Sequence, residues 1–156
     1  MTSSPAYLAR QLDHTFTGPT WHGSSLAELL HDVTATEARA HPLRGGHSIA
    51  ELVAHLAAWC EIAGSRLAGF AGPATDAEDW PAVDASSEER WRASVKTLGA
   101  RYAEIGRKAG ALSESGLSAT LAGRTHTAAD MLHGLVAHGA YHGGQIALLK
   151  KMIRRT

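Results

Sequence analysis

The chain has 156 residues, with 15 Lys and Arg against 15 Asp and Glu, so its formal charge is zero. That length, with 44% hydrophobic residues, predicts one domain over residues 1–156 with its own core. Charge balance excludes a general electrostatic grip on nucleic acid, a single cysteine (Cys60) excludes a disulfide framework and a four-cysteine zinc site, and no apolar run approaches the roughly 18 residues of a membrane span. The N-terminus carries no basic segment followed by an apolar one, so the cytoplasm is the expected location.

Helix starts are the clearest signal along the chain. A Ser or Thr followed three residues later by an acid satisfies two orphan backbone N–H groups reciprocally. Residues 5–16 read as an extra short N-terminal helix, broken by Gly18-Pro19. Ser25–Glu28 opens a first bundle helix at about 24–36, with Leu26, Leu29, Leu30 and Val33 on one side. Ser48–Glu51 opens a second at about 48–70, with a stripe of Ile49, Leu52, Val53, Leu56, Cys60, Ala63 and Leu67. Ser86–Glu89 opens a third at about 86–112. Its apolar positions Trp91, Val95, Leu98, Tyr102, Ile105, Ala109 and Leu112 alternate steps of four and three, which suits near-antiparallel bundle packing. Thr127–Asp130 opens a fourth at about 127–153, striped by Met131, Leu135, His138, His142, Ile146 and Leu149. Lys150, Lys151, Arg154 and Arg155 in its last turn complement the negative helix end. Residues 71–85 read as a long crossover, and 113–126 as a connection without a helix. The sum is an all-α, antiparallel four-helix bundle, and bundles build their sites from inward side chains on facing helices.

Ten histidines are the unusual number. His138 and His142 are four apart on a helix, so they lie one turn apart on one face. Ten histidines placed at random would give about half such a pair, so spacing alone decides little. The stripe adds weight, because two imidazoles on an apolar face need partners for four ring nitrogens and one metal ion answers that demand. The pair therefore reads either as two ligands or as two packed histidines. Gly139 stands where a zincin would carry its general-base Glu, which excludes that peptidase motif. His55, mid-helix beside the second stripe, is the best third ligand; three histidines with open positions are the coordination of a catalytic zinc. His47 and His126 directly precede helix caps and read as helix-start residues. Cys60 reads as a small buried hydrophobe. Trp59 and Tyr141 could wall a pocket; Gly143-Gly144 implies a close helix contact or room for a ligand. Glu61, Arg66 and Gln145 lie near the same helices without an assignable role.

The stretch from His47 through His55 to Trp59, and the run His138-Gly-Ala-Tyr-His142-Gly-Gly-Gln145-Ile146, resemble the DinB/YfiT-like family. Trp21-His22-Gly23 and Asp79-Trp80-Pro81 resemble a common subgroup of it. The resemblance implies a DinB-like four-helix bundle in which His55, His138 and His142 bind a divalent metal, zinc or nickel. It further implies a metal-dependent transferase using a low-molecular-weight thiol such as bacillithiol or mycothiol on a small-molecule substrate, and a homodimer. The alternative is a non-catalytic metal- or ligand-binding protein of stress response.

Overall fold

In the computed structural model, which describes residues 4–155, helices begin where side chains can close the first turn. α1 (Pro5–Thr17) starts at Ser4, whose hydroxyl accepts from the Tyr7 amide, with Pro5 at the first helical position. It ends at Gly18, whose φ of 80° is left-handed territory that favours glycine. α2 (Leu26–Leu30), α3 (Ala35–Ala38), α4 (Ile49–Leu67), α5 (Asp76–Asp79) and α8 (Ala128–Ile153) each start with a reciprocal Ser/Thr–acid box. α6 (Glu88–Gly110) and α7 (Glu114–Ser118) start with a serine alone. No strand occurs among the described residues, and no described helix is long and apolar enough to cross a membrane.

The bundle is made of α1, α4, α6 and α8. α1 packs on α6 and α8, and α4 packs on the same two, so the four close a ring. Leu8 and Leu12 of α1, Leu56 of α4, Leu98 and Tyr102 of α6, and Ile146 of α8 are all sealed in the core. Each such apolar side chain contributes about 1.5–3 kcal/mol on burial. The expected all-α bundle is therefore present, with one reassignment. The N-terminal segment is the first bundle helix rather than an addition to it. The stretch 24–36 is two short helices, because Thr34 and Glu37 form a second capping box that restarts the backbone after Asp32 and Val33.

Three further differences are local. The third long helix is capped by Ser87, not Ser86; the Ser86 amide instead donates to Asp84. The crossover carries α5, whose Thr75–Glu78 box is a further helix start. The 113–126 connection carries α7.

A buried hydrogen bond and a cluster of ion pairs lock the short helices to the bundle. The buried Trp91 indole N–H donates to the Val33 carbonyl at 2.7 Å. Lys150 and Arg154, at the end of α8, reach Asp32 at 2.6 and 2.8 Å, and Arg154 also reaches Glu37 at 2.7 Å. Arg154, with the capping contacts from Thr34, holds the Glu37 carboxyl down at about 2. These cations therefore have specific carboxylate partners besides the helix end.

Candidate metal centre

α4 and α8 pack side by side in the ring, and that packing brings His55 to His138 and His142. The His138 Nε2 lies 3.0 Å from the Nε2 of His55 and 3.0 Å from the Nε2 of His142. One ligand nitrogen from each of the three falls within 4.8 Å of the others. Nitrogens bound to a single ion at about 2.0–2.1 Å stand roughly 3–4 Å apart. His55 and His142 are buried, His138 partly so.

The remaining nitrogens fix what the converging ones can offer. His55 Nδ1 lies 2.7 Å from the main-chain carbonyl of Asp79. A carbonyl only accepts, so that nitrogen carries the proton and Nε2 carries a lone pair. His142 Nδ1 donates to Gln145 Oε1 at 2.6 Å, which likewise leaves a lone pair on Nε2. His138 Nε2 can give its one proton to only one of its two neighbours. At least one of the two close contacts is then lone pair against lone pair.

A second proton is resisted. Burial lowers the His138 pKa to about 4, with the neighbouring His142 and His55 adding to the effect. Burial also lowers that of His142, against the Gln145 hydrogen bond, which raises it. His138 Nδ1 is buried with no hydrogen-bond partner among the described residues. A cation accepting three lone pairs relieves this arrangement, so the donor set fits a divalent metal. Three neutral imidazoles are a borderline-soft set suited to zinc, copper, iron or nickel.

Around the three histidines the crossover supplies an orienting shell. Asp79 acts twice, since its carbonyl accepts from His55 and its carboxylate accepts from the Trp59 indole at 2.6 Å. The same carboxylate stands 3.2 Å from His55 Nδ1. Trp80 is sandwiched between His55 and His47, with ring centroids 3.9 and 3.6 Å away and planes 12° and 8° from parallel. Hydrogen bonds to the outer nitrogen of a ligating histidine set its tautomer and ring orientation. His47 does precede the Ser48 cap, and it also covers Trp80. Tyr141 is exposed, and its ring meets His142 edge-on.

Beside the histidines lies a cavity of about 380 Å³. Trp59, Ala63, Met131, Gly134 and Leu135 wall it, and His55, His138 and Asp79 line its polar end. Trp59 thus does wall a pocket. Gly134 leaves room there, with nothing within 4 Å of where a Cβ would stand. The expected contact at Gly143 is ordinary, against Leu26 and Leu29, and Gly144 faces open space. The tight position is Gly139, where a Cβ would crowd Thr15 of α1 and Tyr102 of α6. Glycine between the two histidines lets α8 lie close on α1 and admits the Tyr102 ring end from α6.

A larger concavity of about 990 Å³ lies between α4, α6 and the crossover, on the side of α4 away from the histidines. It contains no histidine or cysteine; its carboxylates Glu61 and Asp84 are paired with Arg101 and Arg90, and Glu78 closes the Thr75 capping box. Size alone does not make it the site; the smaller cavity has the donor chemistry. Cys60 is buried, and burial pushes its thiol up to about 12, which removes it as a nucleophile.

The geometry brings together all three histidines singled out in the sequence. It adds Asp79, Trp80, His47 and Gln145, which sequence reasoning left without a role at the site. Gln145 had a usable signal, being three residues after His142 on the same helix. Asp79 and Trp80 had none in helical spacing, because they arrive from the end of the one-turn helix α5 in the crossover. No curated protein and no solved structure gives a match to the chain. The family model of the DinB superfamily matches residues 20–146, which spans α4 and the crossover and reaches through both α8 histidines. On that match the chain belongs to the DinB superfamily.

Proposed function

We propose that the protein is a divalent-metal-dependent transferase that uses a small thiol as its nucleophile, with zinc or nickel held by His55, His138 and His142. The supporting observation is the convergence of three Nε2 atoms on one point while Asp79 and Gln145 occupy the outer nitrogens of two of them. A divalent ion bound there would act as a Lewis acid that favours thiolate over thiol. The chain's own residues do the rest. His55 and His142 present preset lone pairs. Met131, Leu135 and Trp59 line the adjoining cavity with apolar surface, which limits water and favours a small organic substrate. Three protein ligands leave positions for an exogenous group, as catalytic rather than structural sites do. Membership of the DinB superfamily supports the same reading. The setting we take for it is cytoplasmic, with a homodimer as the working assembly.

Protein purified without chelators and supplied with zinc or nickel tests this reading. Thiol consumption with a panel of electrophiles should require metal and should vanish in His138→Ala and His142→Ala. Activity unchanged after metal removal would exclude the mechanism. One ion retained per chain with no turnover would favour the metal-binding stress-response protein instead.

A further inference from the structure

The cavity beside the histidines is a furrow between two helices. His55, Trp59 and Ala63 enter it from α4 at steps of four, and Met131, Leu135 and His138 enter it from α8 at steps of four and three. The histidines and Asp79 hold one end, and Ala63 and Met131 stand about two helical turns along from them. Over that length the walls offer no uncommitted strong donor or acceptor. The Trp59 indole N–H already donates to the Asp79 carboxylate, and the outer nitrogen of His55 already donates to the Asp79 carbonyl. Asp79 is the only acid that lines the furrow, and no Lys or Arg lines it.

Gly134 completes the α8 wall one turn before His138, and packing does not explain why it is glycine. It lies inside a regular helix, outside the left-handed region that favours glycine. Nothing stands within 4 Å of where its Cβ would be, so no neighbour needs the space. Glycine there is less stable than alanine would be. The residue is exposed, which puts it where the furrow meets solvent. The missing side chain leaves volume at the mouth of the cavity, beside a histidine of the donor set. Gly144 of the same helix is equally free of neighbours but lines neither cavity, which makes it the control.

We infer that Gly134 sets the size of the substrate arm seated beside the histidines, and that this arm is uncharged and apolar, an aryl group or a short alkyl chain. An apolar cavity of about 150 Å³ holds one benzene. The furrow, at about 380 Å³, has room for a ring and its link to a reacting carbon. Trp59 and Met131 favour a ring, through aromatic packing and sulfur–aromatic contact. A sugar or amide arm would leave its polar groups unpaired against these walls, and an acidic arm would meet the Asp79 carboxylate. The inference rests on the proposed transferase reading for the reacting end of the substrate alone.

A helical side chain leans over the turn before it, so a leucine at position 134 reaches towards Met131 rather than His138. Gly134→Leu should therefore fill the furrow and leave the ligand nitrogens as they are. In calorimetric titration of metal-free protein, benzyl alcohol should bind and benzoate should bind more weakly. Gly134→Leu should weaken benzyl alcohol about tenfold or more, the scale of burying a ring, with Gly134→Ala in between. Gly144→Leu should leave that affinity unchanged. Chelator competition should give wild type and Gly134→Leu the same zinc affinity, and Gly134→Leu should melt no lower than wild type. In zinc-loaded protein, a thiolate sulfur displaces bromide from benzyl bromide or iodide from iodomethane. Gly134→Leu should cut kcat/KM for benzyl bromide about tenfold relative to iodomethane, by the same loss of ring burial. Benzyl alcohol that fails to bind wild type, binds no tighter than benzoate, or binds Gly134→Leu equally well would overturn the inference. So would zinc affinity lost in Gly134→Leu, because position 134 would then act through the ligands. Benzyl alcohol binding that Gly134→Leu abolishes, with no conjugation by any of the proteins, would uphold the apolar subsite and count against the transferase reading.

Discussion

The indole of Trp80 lies flat on the imidazole of His55, with ring centroids 3.9 Å apart and planes 12° from parallel. Because the preceding residue's carbonyl also accepts from His55 Nδ1, one two-residue step of the crossover fixes both the tilt and the tautomer of that histidine. Trp80→Ala should lower metal affinity about tenfold, the scale on which outer partners of a ligating histidine act. Asp79→Ala keeps the main-chain carbonyl and should cost less. Competition with a chromophoric chelator measures both. An affinity unchanged by Trp80→Ala would mean that α4 and the Asp79 carbonyl orient His55 without the Trp80 ring.

Metal should stabilise the folded chain. An ion that binds only the native state adds stability by mass action, about 2.7 kcal/mol at a hundredfold excess over Kd. The melting temperature of metal-free protein should rise when zinc or nickel is added, and the rise should be lost in His55→Ala, His138→Ala and His142→Ala. The metal-free variants should remain helical, since the apolar stripes of α1, α4, α6 and α8 do not depend on these side chains. A melting temperature that rises equally in wild type and variants would place the ion elsewhere.

His55, His138 and His142 were legible in the sequence because helical spacing relates His138 to His142, and because each lies on or beside a stripe of core residues. Leu98, Tyr102 and Ile105 were legible for the same reason. Periodicity carries no information about what a crossover places over a helix face, so Asp79 and Trp80, at the end of the four-residue α5, could not be read from spacing. The misassigned α1 has another cause. Leu8 and Leu12 give it a short buried face, whereas Leu26, Leu29, Leu30 and Val33 mimic a longer helix across a break. Only the second box at Thr34–Glu37 discloses that break.

Acid should destabilise the metal-free protein before its carboxylates titrate. The His138 pKa is lowered from an ordinary 6.5 to about 4, chiefly by burial, and that of His142 is lowered too. Above about pH 7.5, a unit over the ordinary value of 6.5, both are neutral in the folded and unfolded chains, and they leave stability independent of pH. As pH falls from there towards 4, the unfolded chain takes up protons that the folded chain resists, so stability falls through that window. Urea denaturation at pH 7.5, 6, 5 and 4.5 should show the decline, and His138→Ala should flatten it. A wild-type profile that stays level down to pH 4.5 would mean that these imidazoles are not buried together.

The contrast between Gly139 and Gly144 tests the close approach of α8 to its neighbours. Both sit inside the same helix, where alanine is favoured over glycine by about 1 kcal/mol. At Gly144 no atom lies within 4 Å of a new Cβ, so Gly144→Ala should realise that gain. At Gly139 the new methyl would stand 2.6 Å from the Tyr102 hydroxyl oxygen and would also press on the Thr15 methyl. Tyr102 is fully buried and Thr15 nearly so, so neither can swing into solvent. α8 must instead shift away from α1 and α6, at a cost of about 1–3 kcal/mol typical of overpacking. That shift moves His138 and His142, which flank the position, relative to His55. Gly139→Ala should therefore unfold at lower urea than wild type and bind metal more weakly, while Gly144→Ala unfolds at higher urea with metal affinity unchanged. Two variants stabilised alike would show that α8 does not contact α1 and α6 at the level of the histidines.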